Sequence, residues 1–261
     1  MKIYQADAFT DRPFGGNPAG VCLLDGPKEV PWMQSLAAEM NLSETAFLLP
    51  EGAGWNLRWF TPLTEVDLCG HATLASAHVL WEAGEVASGK PIEFTSRSGR
   101  LGARREGPRI VLDFPALPVE PATVSPEMTR ALGIDPIYAG LTGKIHLLEV
   151  ASAEIVRSMN PAFASLREFP GRGVMVTAAA GKQPFDFVSR YFAPWIGVDE
   201  DPVTGSAHCA LGPYWSRRLG KTEMLAYQAS RRGGVVHVRV DGSRVHLGGQ
   251  AVTVLAGELR A

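Results

Sequence analysis

Short apolar runs broken by glycine, proline and asparagine dominate the chain, and two longer apolar stretches stand out from them. Ile3–Phe9 and Ala19–Leu24 predict two strands joined by the turn-rich loop Thr10-Asp11-Arg12-Pro13-Phe14-Gly15-Gly16-Asn17-Pro18. Trp32, Leu36 and Met40 recur at helical spacing. Asn41-Leu42-Ser43-Glu44-Thr45 reads as a polar break after that helix, with strands following at Ala46–Leu49 and Asn56–Phe60. From Gly70 to Gly84 nearly every residue is small or apolar, with Ala72, Leu74, Ala75 and Val79 leaving little polar face. A helix apolar nearly all round belongs inside the protein. Strands are expected again at Ile92–Thr95, Arg100–Arg105 and Arg109–Phe114.

Pro115, Pro118, Pro121 and Pro126 then interrupt the periodicity and mark a lobe boundary, giving an N-terminal lobe 1–117 and a C-terminal lobe 118–261. Beyond it the pattern predicts a short helix at Glu127–Leu132 and strands at Ile145–Val150, Val174–Ala178 and Asp186–Phe192. Gly205–Leu219 is the second long helix, Val235–Val240 and Arg244–Leu247 form a hairpin across Asp241-Gly242, and Gln250–Leu255 closes the chain. Each half reads as short strands around one central apolar helix, an α+β arrangement and not an alternating βαβ sheet.

The two halves also share wording. Arg58, Phe60, Pro62 and Val66 match Arg190, Phe192, Pro194 and Val198 at one offset. After three extra residues in the second copy, Gly70, Ala72 and Ala75 match Gly205, Ala207 and Ala210. Such self-similarity implies two related lobes, each with a strand, a glycine turn and a helix start. A cleft between such lobes would turn two helix N-termini toward one ligand.

Composition narrows the class. The 261 residues are 46% hydrophobic, enough for a large core, and 25 basic against 27 acidic residues give no electrostatic case for nucleic acid. No apolar run reaches the roughly 18 residues of a membrane span, and the N-terminus lacks the apolar stretch of a secretory signal. Cys22, Cys69 and Cys209 cannot all pair within one chain and show no metal-ligand spacing, so a reducing, cytoplasmic setting without a metal is expected. Phosphate-loop, dinucleotide and serine-elbow motifs are absent.

The candidate chemistry lies at the two helix starts. Unpaired N–H groups there hold anions, and Gly70 and Gly205 let an anion reach the backbone, with His71 and Ser206 adding an imidazole and a hydroxyl. The alternative is that both are ordinary caps. Glu44, in its polar break, is either an acid/base group with its pKa raised in a partly dry site or a solvated loop residue. Asp201, four residues before Gly205, is either an orienting acceptor for Ser206, His71 or a substrate donor, or a turn residue. Cys69 sits where a helix N-terminus favours a thiolate, but the matching position is Thr204, so a two-thiol mechanism is incomplete. His78 and His208, on helices without acids at ligand spacing, do not suggest zinc.

D-A-F-T at 7–10, G-N-P-A at 16–19, N-L-S-E-T-A-F at 41–47, L-C-G-H-A-T at 68–73 and E-D-P-V-T-G-S-A-H at 200–208 together resemble the phenazine biosynthesis PhzF family, nearly end to end. The resemblance implies a diaminopimelate-epimerase-like fold of two pseudo-symmetric lobes, each a barrel-like mixed sheet around a central helix. It also implies isomerisation without cofactor or metal, of the kind performed on trans-2,3-dihydro-3-hydroxyanthranilate. Glu44 falls on the family's acid/base glutamate, and Gly70, His71, Asp201, Gly205 and Ser206 on its substrate-binding positions. The expected function is therefore a proton-shuttling isomerase of a small carboxylate, with neither nucleic acid nor membrane as partner and a homodimer left open. Two rivals stand beside it: an amino-acid-type epimerase or racemase using Cys69, and a non-catalytic small-ligand-binding protein.

Overall fold

A computed structural model describes residues 1–260. Two compact units emerge, Met1–Phe114 with Leu247–Ala261 and Pro115–His246. Where the sequence pattern divides the chain once, after residue 117, the fold divides it twice. The reason is strand pairing: Ala251–Glu258 runs antiparallel to Lys2–Ala8 and so belongs with the first unit.

Within the first unit, Lys2–Ala8 pairs antiparallel with Asn17–Leu23, which pairs parallel with Glu44–Glu51. Glu44–Glu51 pairs antiparallel with Gly54–Phe60, and Gly54–Phe60 pairs antiparallel with the short Glu65–Val66 and parallel with Ile92–Ser96. The second unit repeats the plan. Tyr138–Thr142 pairs antiparallel with Ile145–Glu149, which runs parallel to Gly173–Ala179. Gly173–Ala179 is antiparallel to Phe187–Ala193, itself antiparallel to Val198–Asp201 and parallel to Glu223–Gln228. The duplication seen in a few residues is thus a duplication of topology, strand by strand.

Each unit is built on its long helix. The first, Gly70–Glu82, buries Gly70–Ala77, Val79, Leu80 and Trp81, as a helix without a polar face must. It packs on the strands Lys2–Ala8, Asn17–Leu23 and Glu44–Glu51. The second, Gly205–Leu219, buries Ala207, Cys209, Ala210, Leu211 and Trp215. Pro213 lies inside it, and having no N–H it leaves the carbonyl of Cys209 without its helical donor. The backbone N–H of Leu117 fills that vacancy at 2.9 Å. Gly212 allows the helix to approach its strands: a Cβ there would stand 2.8 Å from Val238 Cγ1.

The matched arginines turn out to brace matched hairpins. Arg58 donates from Nε and Nη2 to the two oxygens of Glu65 at 2.7 and 2.8 Å. Arg190 does the same to Glu200 at 2.7 and 2.9 Å, and its Nη1 donates to the Met159 carbonyl at 2.7 Å. Each guanidinium also lies over its own strand's phenylalanine, Phe60 or Phe192, at 5.3 and 4.9 Å. Bidentate pairing with a stacked ring holds the strand that leads to each glycine turn.

The pattern misplaces some elements. The stretch read as a polar break contains the start of a strand: Glu44 and Thr45 pair with Ala19 and Gly20 in the parallel register, and Thr45 is fully buried. The helix Ala153–Ser158 was not anticipated, although Ser152 Oγ accepts from Ile155 N–H as an N-cap. No helix among the described residues is long and apolar enough to cross a membrane.

Candidate active site

In the first unit, three of the residues singled out by chemistry converge. Glu44 opens the strand Glu44–Glu51, Cys69 is the N-cap residue of the central helix, and His71 is its second residue. His71 Nε2 lies 3.3 Å from Glu44 Oε2, while Nδ1 lies 3.5 Å from Cys69 Sγ and 3.1 Å from the amide nitrogen of Asn17. The histidine is 3% exposed, and Asn17 is fully buried at the start of its strand. Burial pulls the His71 pKa down to about 3, so the ring is neutral near pH 7 and meets Glu44 as an imidazole rather than as a cation. With the Asn17 amide donating to Nδ1, the ring proton sits on Nε2, toward Glu44. Glu44 itself keeps a side-chain exposure of 20%, enough for its carboxylate to reach a small ligand.

Asn17 is the residue that sequence reasoning passed over, naming it only inside a motif. A signal was present: the preceding Gly16 has φ +58, and a Cβ there would lie 2.0 Å from the Ala8 carbonyl oxygen. Only glycine fits a left-handed position against a backbone oxygen, and that turn delivers Asn17 to His71.

Neither long helix start carries a side-chain cap hydrogen bond. Cys69 and Thr204 occupy the N-cap positions in extended conformation, and neither side chain makes a cap hydrogen bond. By contrast Ser125, at the start of Pro126–Leu132, accepts from Met128 N–H at 3.1 Å. The two long helices that carry glycine at their first position are left uncapped by side chains, which suits an anion.

In the second unit, Asp201 ends the strand Val198–Asp201 and accepts from Thr204 Oγ1 at 2.6 Å, so its acceptor role is exercised on the N-cap threonine. Gln228 locks the same turn: its Oε1 accepts from Thr204 N–H at 2.9 Å and its Nε2 donates to the Asp201 carbonyl at 2.7 Å. Gln228 ends the strand Glu223–Gln228 and is fully buried. Gly205 and Ser206 open the helix, with Gly205 buried and Ser206 exposed.

The registers show what the duplication does not copy. Thr45 faces Phe60 and Val174 faces Phe192, and Phe60 and Phe192 are the matched phenylalanines. One residue earlier, Glu44 therefore corresponds to Gly173. Cys69 likewise corresponds to Thr204, and His71 to Ser206. The duplication supplies one carboxylate, not two, and one thiol, not two.

Comparison with known proteins agrees with this architecture. The family model described as phenazine biosynthesis-like protein matches residues 6–257. An uncharacterized isomerase of Halalkalibacterium halodurans is 52% identical over 258 residues, 98% of this chain and 97% of that protein. The crystal structure of a PhzF family phenazine biosynthesis protein from Enterococcus faecalis superimposes with TM-score 0.95 at 43% identity, covering 100% of this chain and 99% of that one. A hydroxyproline epimerase from Agrobacterium vitis is similar at TM-score 0.67 and 13% identity over 98% of this chain and 91% of its own, a likeness of fold alone. The duplicated α+β architecture is thus the diaminopimelate-epimerase-like fold. Within that class the chain belongs to the PhzF family, phenazine biosynthesis-like proteins, and is an isomerase of that family.

Proposed function

We propose that this isomerase moves a proton within a small carboxylate-bearing molecule, with Glu44 taking the proton from a carbon beside an unsaturated system and returning it elsewhere. The observation that carries the reading is the asymmetry at one repeated position. Glu44 stands 3.3 Å from a buried, neutral imidazole, and its counterpart is Gly173. A single base can take and return one proton, whereas inversion at a stereocentre calls for a second acid on the opposite face.

His71 supports that role by presenting Nε2 to the carboxylate, and Asn17 by fixing the ring. The substrate carboxylate is assigned to the N–H groups at Gly70 and His71, where no side chain caps the helix. Asp201, Gly205 and Ser206 are proposed to take part in substrate binding as well. One acid/base group supplies about 100- to 10,000-fold of rate, so positioning must supply much of the remainder. The proposal requires neither cofactor nor metal, and a reducing cytoplasm suits the three thiols, none of which is in a disulfide.

The epimerase reading keeps one observation in its favour, the 3.5 Å approach of Cys69 Sγ to His71 Nδ1. Turnover of a panel of unsaturated cyclic carboxylic acids, trans-2,3-dihydro-3-hydroxyanthranilate among them, separates the two. Glu44→Gln should lose at least about 100-fold in turnover with ligand affinity kept within about tenfold. Cys69→Ser should stay within about tenfold of wild type, about 1.4 kcal/mol of barrier. A thousandfold loss in Cys69→Ser with folding and binding intact would move the assignment to a thiol-dependent epimerase.

A further inference from the structure

We propose that the Tyr191 hydroxyl determines specificity in the second unit, donating a hydrogen bond to a hydroxyl group of the substrate beside Asp201. Its role rests on the share in substrate binding proposed above for Asp201, Gly205 and Ser206, but not on proton transfer by Glu44.

Strand geometry puts the ring there. Tyr191 pairs with Met175 on one side and with Asp201 on the other. Side chains directly opposite on neighbouring strands share a face, so Tyr191 and Asp201 stand on the same one. It is the face of Thr177, whose Oγ1 accepts from Trp215 Nε1 on the central helix. Phe192 points the other way, into the outer cluster with Val156 and Leu166. Tyr191 is thus turned inward, toward the helix that Gly205 opens.

The ring leans over Gly173. A Cβ on that glycine would lie 2.3 Å from Tyr191 Oη and 2.7 Å from Cζ, so glycine is what the close approach allows. Gly173 is the counterpart of Glu44, and the phenol fills the space that a side chain at the repeated position would take.

The hydroxyl has no partner of its own. Tyr191 is 7% exposed, yet its Oη makes no hydrogen bond among the described residues. A buried tyrosine ordinarily satisfies its O–H, as Tyr214 does by donating to Glu149 at 2.6 Å. The matched residue in the first unit is Trp59, and its Nε1 is likewise buried without a partner. Burial and the neighbouring Asp201 charge push the Tyr191 pKa up to about 12, so near pH 7 the phenol keeps its proton and donates. A substrate hydroxyl suits the pair: its oxygen accepts from Tyr191 and its proton goes to an Asp201 oxygen. A carboxylate has lone pairs enough to accept it alongside Thr204. A substrate carboxylate in that place would be repelled by Asp201.

The test is calorimetric titration of the full-length protein with benzoate and with its ortho-, meta- and para-hydroxy derivatives, for wild type and Tyr191→Phe. At least one hydroxybenzoate should bind wild type about 3- to 10-fold more tightly than benzoate, the worth of one neutral hydrogen bond. Tyr191→Phe should lose that preference while keeping its benzoate affinity and the wild-type melting temperature, because the hydroxyl has no partner within the protein. No gain from any hydroxyl in wild type, or a gain that survives in Tyr191→Phe, would overturn the assignment. A lowered melting temperature in Tyr191→Phe with benzoate affinity lost as well would also overturn it, since the hydroxyl would then serve the fold. The readout involves no turnover, so proton transfer by Glu44 can fail while the hydroxyl preference stands, and the reverse.

Discussion

Lowering the pH from 7 to 5 should destabilise the second unit through His208, by an amount that can be worked out. The ring is fully buried on the central helix, its Nδ1 2.9 Å from the Thr204 carbonyl and its face 6.0 Å from Phe187. No carboxylate among its recorded partners offsets burial, which pulls its pKa down to about 4. In the unfolded chain histidine titrates near its ordinary value of about 6.5. Between these values the unfolded state binds a proton that the folded state refuses, so stability is complete above the unfolded value and is lost as pH falls toward the folded one. Integrated from pH 7 to pH 5, this one residue costs about 2 kcal/mol. His71 is the less clean case, because the Glu44 carboxylate beside it opposes the shift. The assay is urea unfolding at the two pH values for wild type and His208→Gln, a neutral side chain of similar size, followed by tryptophan fluorescence. Trp215 stacks on Phe187 at 5.7 Å and reports on this unit. The variant should be less stable at pH 7 yet lose about 2 kcal/mol less than wild type on acidification. Identical pH dependence in the two proteins would refute the argument.

Gly16→Ala must either move the Ala8 carbonyl or abandon its turn, and should cost at least about 1–3 kcal/mol; a melting temperature within a degree of wild type would show that the turn yields freely. Arg190→Met removes one partner of a pair whose side chains are 11% and 19% exposed. Discounted for that partial exposure, the expected loss is about 2 kcal/mol by urea unfolding. The double variant with Glu200→Met should recover part of it, and equal losses in single and double variants would argue that the uncompensated carboxylate is not the cause.

What could be read from the chain follows from how local each signal was. The long helices announced themselves because a buried helix has no polar face, and Gly70 and Gly205 marked their first residues. Arg58 and Arg190 revealed the duplication, although the carboxylates they brace, Glu65 and Glu200, lie outside the matched positions. Glu44 was singled out as a candidate acid/base group but placed in the wrong element, since Ser43-Glu44-Thr45 is polar in a segment whose strand character comes from pairing with Ala19–Leu23. Its approach to His71 and Cys69 depends on that non-local register, which no window of sequence contains. Gln228 was hidden for the same reason: its partners Asp201 and Thr204 are more than twenty residues away.

The central claim is that Glu44 carries the proton, and exchange with solvent tests it most directly. Wild type and Glu44→Gln would each be incubated in D2O with a turned-over carboxylate, and the deuterium incorporated at carbon followed by NMR. The account predicts incorporation by wild type at the carbon that gains the proton, and none above background in Glu44→Gln despite retained binding. Incorporation by Glu44→Gln at the wild-type rate would contradict it.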